Sequence, residues 1–203
     1  MNLPTEQQCL KYFEEYTVPE NILQHCLQVR NVSVFLAEQL KKAGIEVDLD
    51  LVNCLALLHD LFKLASLKSL EPTKYYPNNF TAEQIEMWKK LKQEYPGMHE
   101  NEIAFEILKD EYPKLAISLK NVTDPRVIDK TWEELVVHYS DWRILQTRIV
   151  SLKQRAIYLR DNYPQPKERW DDYENLMIER EKFIFSHLEF LPDKVAELIE
   201  NGK

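Results

Sequence analysis

At Thr5-Gln8, Thr81-Gln84, Thr131-Glu134 and Ser151-Gln154 a hydroxyl residue is followed three positions on by a Glu or Gln, each time at the head of an amphipathic run. This is the capping box. The hydroxyl accepts a hydrogen bond from the backbone N–H three residues on, and the Glu or Gln side chain accepts one from the cap's own N–H. Boxes spread along the whole sequence commit the chain to one helix after another. The apolar spacing agrees: Ile22, Val29, Val32, Phe35, Leu36 and Leu40 recur mostly by threes and fours. No stretch alternates apolar and polar over a useful strand length, and there is no internal repeat. The expected fold class is all-α.

Local signals divide the chain further. A first short helix begins after Thr5. Pro19 opens a long helix to about residue 43, which Gly44 suits as a stop. Asp48 caps a mostly apolar, central helix over about 49–65. Residues 66–80, with Pro72, Tyr75, Tyr76, Pro77 and Asn78, read as an irregular loop, a candidate lid. Helices follow at about 81–94, 101–110, from Pro113 to the break at Asp124-Pro125, 131–145 and 151–162. Pro164 and Pro166 mark a hinge before a helix over about 168–189 and a short one after Pro192. The expectation is one domain over 1–203, with a C-terminal helical extension at about 164–203.

Composition narrows the function classes. Only three of the 203 residues are glycine, and no Gly-rich phosphate loop occurs, so side chains, a metal or helix N-termini must hold any phosphate. A net charge of -8 repels polyanions, so no nucleic-acid polymer is expected as a partner. A small anion stays compatible, because a bound cation can reverse the local field. Cys9, Cys26 and Cys54 lack metal or disulfide spacing. The N-terminal stretch carries no signal-like segment and no run approaches a membrane span, so a cytoplasmic location without membrane attachment is expected. The apolar face of residues 170–190 either covers the core or forms a homodimer contact.

The residues that carry chemistry are His59 and Asp60, adjacent at the end of the apolar run Leu51–Leu58, with Lys63 one turn on. A buried carboxylate costs several kcal/mol unless paired with a charge or a metal, and imidazole plus carboxylate can hold one divalent ion. His25 lies on the inward face of the preceding helix and Asp141 on a helix far downstream. Bundles build metal sites from facing helices in this way. Two imidazoles and two carboxylates suit Mn, Mg, Co, Ni, Fe or Zn alike.

This ordered set, His25, then His59-Asp60, then Asp141, resembles the HD-domain superfamily of metal-dependent phosphohydrolases. Lys63 and Tyr139-Ser140-Asp141 extend the resemblance, which covers roughly residues 15–160. It implies an all-helical domain, metal ligands His25, His59, Asp60 and Asp141, and hydrolysis of a small phosphate ester, such as a nucleotide, by a water activated at the ion. The alternative is a regulatory module that binds metal or nucleotide without turnover. Asp60 is then both ligand and catalytic residue, and Lys63 a catalytic, phosphate-holding residue. His99 is a third catalytic candidate, as general acid or second-metal ligand; otherwise it is only a helix-start residue. Arg143 is a candidate phosphate-binding residue. Expanded family sites carry a further histidine where this chain has Asn121-Val122-Thr123-Asp124, which points to one metal. The aromatic set Tyr75, Tyr76, Phe80, Trp88 and Tyr95 is a candidate base-stacking surface, and His138 is expected behind the ligands or exposed.

Overall fold

All four capping boxes close: Thr5, Thr81, Thr131 and Ser151 each accept from the backbone three residues on and receive the reciprocal side-chain contact. The computed structural model describes residues 2–67, 69–71, 80–124, 127–163 and 166–202. Among the described residues are eleven α-helices: α1 (Glu6–Glu15), α2 (Glu20–Lys42), α3 (Leu49–Leu58), α4 (Lys63–Ser66), α5 (Ala82–Glu94), α6 (Glu100–Leu108), α7 (Pro113–Val122), α8 (Trp132–Trp142), α9 (Leu152–Asn162), α10 (Lys167–Phe185) and α11 (Val195–Asn201). The fold is all-α. Residues 72–79, with Tyr75, Tyr76 and most of the expected lid, lie outside the described residues, as do Pro125 and Pro164.

Helix α3 is the axis of the core. Leu51, Val52, Cys54, Leu55, Ala56, Leu57 and Leu58 are all buried, and α1, α2, α7 and α8 pack around them. Truncating a central leucine such as Leu55 to alanine costs about 2–5 kcal/mol, lost transfer energy plus a cavity. Helix α2 lies against both α3 and α8, so the much later α8 meets the consecutive pair α2 and α3 along one line. Helix α10 packs on α8 and α9, and α11 on α2.

The expected helix over 49–65 is two helices. α3 stops at Leu58 and α4 starts at Lys63, with His59 to Phe62 in a tight turn. The bonds there run to the third residue back: Leu61 N–H to Leu58 O (3.1 Å) and Lys63 N–H to Asp60 O (3.0 Å). The His59 ring takes the Ala56 carbonyl at 2.7 Å, the acceptor that a continuing helix would offer to Asp60. The helix expected to 145 likewise ends at Trp142. A small antiparallel hairpin follows, β1 (Ile144–Leu145) with β2 (Arg148–Ile149), in register Ile144↔Ile149 and Leu145↔Arg148. Two-residue strands leave no alternation to detect in a sequence. Gln146, at the hairpin turn, has a left-handed φ of 60°.

Candidate metal centre

The line where α2, α3 and α8 meet carries His25, His59-Asp60 and Asp141. The His25 Nε2 atom lies 3.0 Å from Asp141 Oδ1 and 3.9 Å from Asp60 Oδ2. His59 Nε2 lies 3.8 Å from Asp60 Oδ2 and 3.9 Å from Asp141 Oδ1. The ring centroids are 5.5 Å apart. Ligand atoms of His25, His59 and Asp60 all fall within 4.8 Å of one another, which is metal-site geometry, and Asp141 closes on both imidazoles.

Each imidazole is set by its other nitrogen. His59 Nδ1 donates to Ala56 O, and His25 Nδ1 donates to Gln146 O at 3.1 Å. Both Nε2 atoms therefore turn toward the carboxylates, the arrangement that orients metal-binding histidines. The hairpin absent from the sequence reading thus has a role: its left-handed turn at Gln146 brings a carbonyl onto His25. His59 Nε2 is buried with no hydrogen-bond partner. A buried ring nitrogen left bare beside two carboxylates is costly, and a divalent cation satisfies it. His25, His59 and Asp60 fit a metal ion, with Asp141 against both imidazoles.

The field of the site says the same. Burial works against ionisation of Asp60, but Lys63 and His59 outweigh it and hold the carboxyl below the usual range. Burial opposes ionisation of Asp141 too, and His25, by hydrogen bond and charge, overrides it strongly. For His59, burial disfavours the cation, while the Cys26 sulfur and both carboxylates raise its pKa to about 9. In His25 burial is likewise outweighed, by Asp141 and Asp60. The cage draws positive charge, as protons when it lacks a metal.

Lys63 leans over the cage. Its Nζ is 3.2 Å from Asp60 Oδ1 and 3.1 Å from Glu100 Oε1. Burial lowers its basicity, but Asp60 and Glu100 more than restore it, so the lysine is a firm cation. Glu100 did not stand out in the sequence, because a carboxylate in a first helical turn ordinarily answers the helix dipole. Here its side chain is 6% exposed, its N–H donates to Ser66 Oγ, and Oε2 is buried without a partner.

Above the cage opens a cavity of about 380 Å³, within the range of small-molecule sites, about 300–1,000 Å³. Asp60, Lys63, Glu100, Asp141 and His138 line it beside the cage, with His99, Thr123, Trp142, Arg155, Leu159, Tyr163, Arg169, Trp170 and Tyr173 completing the lining. His99 is exposed at the rim, the cap residue of α6, with its N–H held by Glu102 at 2.8 Å. His138 is buried and receives Arg180 on Nδ1. Burial, Arg180 and Lys130 together push its pKa down to about 3, so it stays neutral.

Arg143 is not brought to this cavity. It is buried beneath α10, where Nε donates to Val150 O (2.6 Å), Nη2 to Pro192 O (3.1 Å) and Nη1 to the Tyr139 hydroxyl. The phosphate-binding expectation is corrected: Asp141 faces the site, and Arg143, two residues on, points to the far side of α8. Arg30 is tied to Asn53 and Glu6. The aromatic rings at the cavity are also different ones. Trp142 stacks on Tyr173 (5.9 Å, 9° between planes), which neighbours Trp170 (6.4 Å); of the expected set, Phe80, Trp88 and Tyr95 do not line it. Nothing local in α9 or α10 marks these residues, because their convergence is purely tertiary.

Against this geometry, the family model for the HD domain matches residues 22–142. All four cage residues fall inside the match, while α9 and α10, with Arg155, Trp170 and Tyr173 of the cavity lining, follow it. Comparison with curated proteins and with solved structures returns no match.

Proposed function

The chain belongs to the HD-domain family, in general metal-dependent phosphohydrolases, and from that premise we propose that it hydrolyses a small phosphate ester, a nucleotide by preference. The observation that carries this reading is the bare, buried Nε2 of His59 facing Asp60 and Asp141, directly beneath a cavity that also presents Lys63. His25, His59, Asp60 and Asp141 would hold one divalent ion; their mixed N/O donors suit Mn, Mg, Co, Ni, Fe or Zn. Such an ion supplies Lewis acidity, making water a nucleophile near neutral pH and offsetting phosphoryl charge.

The chain's own groups do the rest. Asp60 accepts a proton from the attacking water at the carboxylate oxygen facing the cavity. Lys63 Nζ, kept charged between Asp60 and Glu100, grips a phosphate oxygen as charge develops. His99 at the rim gives a proton to the leaving oxygen. The rings of Trp142, Tyr173 and Trp170, the last tilted 55° to Tyr173, offer apolar surface for a base, which favours a nucleotide over an aliphatic phosphate. We place the protein in the cytoplasm. Its three cysteines are free and buried, as suits a reducing compartment, and among the described residues no helix is long and apolar enough to cross a membrane.

The test is phosphate release from nucleoside mono-, di- and triphosphates and cyclic dinucleotides, with Mn, Co, Mg and Ni supplied in turn to metal-stripped protein. Metal-dependent turnover of at least one nucleotide is expected. Equal turnover by stripped and loaded protein would rule the mechanism out. Tight nucleotide binding without turnover under every metal would point to a regulatory module instead.

A further inference from the structure

Arg155 lies in the first turn of α9, after the segment that matches the family. Its side chain is 15% exposed and lines the cavity. Asp141 Oδ1 lies 3.9 Å from its Nη2, beyond hydrogen-bond reach and already engaged by His25 at 3.0 Å. Its Nε–H is buried with no acceptor. The contrast with other arginines is sharp: Arg143 spends all three nitrogens on protein acceptors, and Arg160 pairs with Asp171 and Glu174.

A buried guanidinium N–H without an acceptor costs free energy in the resting protein. That cost is recovered if an anion arrives. The fork of five donors matches the tetrahedral oxygens of phosphate two at a time. The position suits this. Lys63 stands on the Asp60 side of the cage and Arg155 on the Asp141 side, and both line the same cavity.

We propose that Arg155 is a substrate-contacting residue that takes one or two phosphate oxygens of the ester across the cage from Lys63, an assignment that rests on the phosphohydrolase reading above. The family's own segment supplies the cage, and the helix after it supplies the second phosphate clamp. The competing role for Arg155 is to hold Asp141 in place, acting on the metal rather than on the substrate.

Inorganic phosphate is the probe. Its binding to Mn-loaded protein is measured by calorimetry for the wild type, Arg155→Gln and Arg155→Lys, and Mn binding is measured separately for each. Arg155→Gln is expected to weaken phosphate at least about tenfold, the loss of a charge-assisted hydrogen bond. Arg155→Lys is expected to recover only part of that, since an ammonium lacks the fork. Mn affinity is expected to stay within about twofold of wild type in both, and circular dichroism to be unchanged. Phosphate affinity equal to wild type in Arg155→Gln would overturn the assignment. So would a parallel loss of Mn affinity, which would make Arg155 a positioning residue for Asp141. If the wild type hydrolyses nucleotides while Arg155→Gln keeps normal KM and phosphate affinity, only the Arg155 assignment fails. If Mn-loaded wild type neither binds phosphate nor hydrolyses any ester, both readings fail.

Discussion

The floor of the cavity and its outer wall hold their functional groups by different means. On the floor, His25 and His59 are each fixed through Nδ1 to a backbone carbonyl, His25 on α2 packed against α3 and His59 in the turn that ends α3. On the wall, Arg155, Trp170 and Tyr173 are partly exposed side chains on α9 and α10, of which α10 packs on α8 and α9 on α10. The floor is held in place by the fold itself and lies within the segment that matches the family. The wall helices α9 and α10 follow the segment that matches the family, and in the proposed reading they meet the part of the substrate that differs from one ester to another. Damage to the floor should therefore abolish chemistry, and damage to the wall should change which substrate is used.

Asp60→Asn tests the floor most severely. It keeps the shape but removes the ligand charge and the proton acceptor, several kcal/mol of transition-state stabilisation, so turnover should fall by roughly 10³-fold or more. Mn binding should weaken with it, while the circular dichroism spectrum stays native. A variant that retained metal and rate would break the division between floor and wall. Lys63→Ala should cost about 10²-fold in kcat, as for loss of one preorganised charge at a developing oxyanion, with Mn still bound. Equal losses of Mn affinity and kcat would move Lys63 from the substrate to the cage.

Trp170→Ala probes the wall. Base stacking is worth about 1–3 kcal/mol, so KM for a nucleotide should rise about tenfold or somewhat more. KM for a phosphate ester without an aromatic ring should barely change, and Mn affinity should not move. An equal effect on both esters would remove the stacking shelf from the account.

The smallest effect is on stability against pH, and it separates the two states of the floor. Below pH 6.5 the unfolded chain protonates His138 while the native one, with its pKa near 3, does not. Stability must then fall with acid, at most about 1.4 kcal/mol per pH unit for this group. His25 and His59 act in the opposite sense. Their native pKa values are raised, so their contribution is complete below 6.5 and is lost as pH rises toward 9. Metal-free protein should therefore have its highest Tm near neutral pH, with losses on both sides. Bound metal keeps both imidazoles unprotonated and should remove the alkaline loss. In His138→Gln the acid limb should flatten. A metal-free Tm that climbed steadily from pH 6.5 to 9 would contradict the electrostatics given for the cage.

What the sequence disclosed follows the same line between floor and wall. Capping boxes are local, so Thr5, Thr81, Thr131 and Ser151 could be read as helix starts and all four close in the structure. The floor was legible because its residues are rare types in an ordered pattern, His25, His59-Asp60 and Asp141, on helices whose inward faces show as apolar spacing. The turn at His59–Phe62 and the hairpin at Ile144–Ile149 were not, since each depends on one carbonyl finding one imidazole. Arg143 misled because helix position alone does not say which side of α8 faces the cavity. Glu100 and Arg155 carry no local signal, and the apolar spacing of Trp170 and Tyr173 read as a core-covering or dimer face rather than a cavity wall. They matter only because α6, α9 and α10 converge above the cage.

Whether the cage holds a single ion is decided by its metal stoichiometry. Metal-stripped wild type and His59→Ala are dialysed against Mn and assayed by elemental analysis, with nucleotide hydrolysis followed in the same samples. The account predicts one tightly held ion per wild-type chain, its loss in His59→Ala, and hydrolysis rising in proportion to occupancy. Two ions per chain, none, or hydrolysis indifferent to occupancy would contradict it.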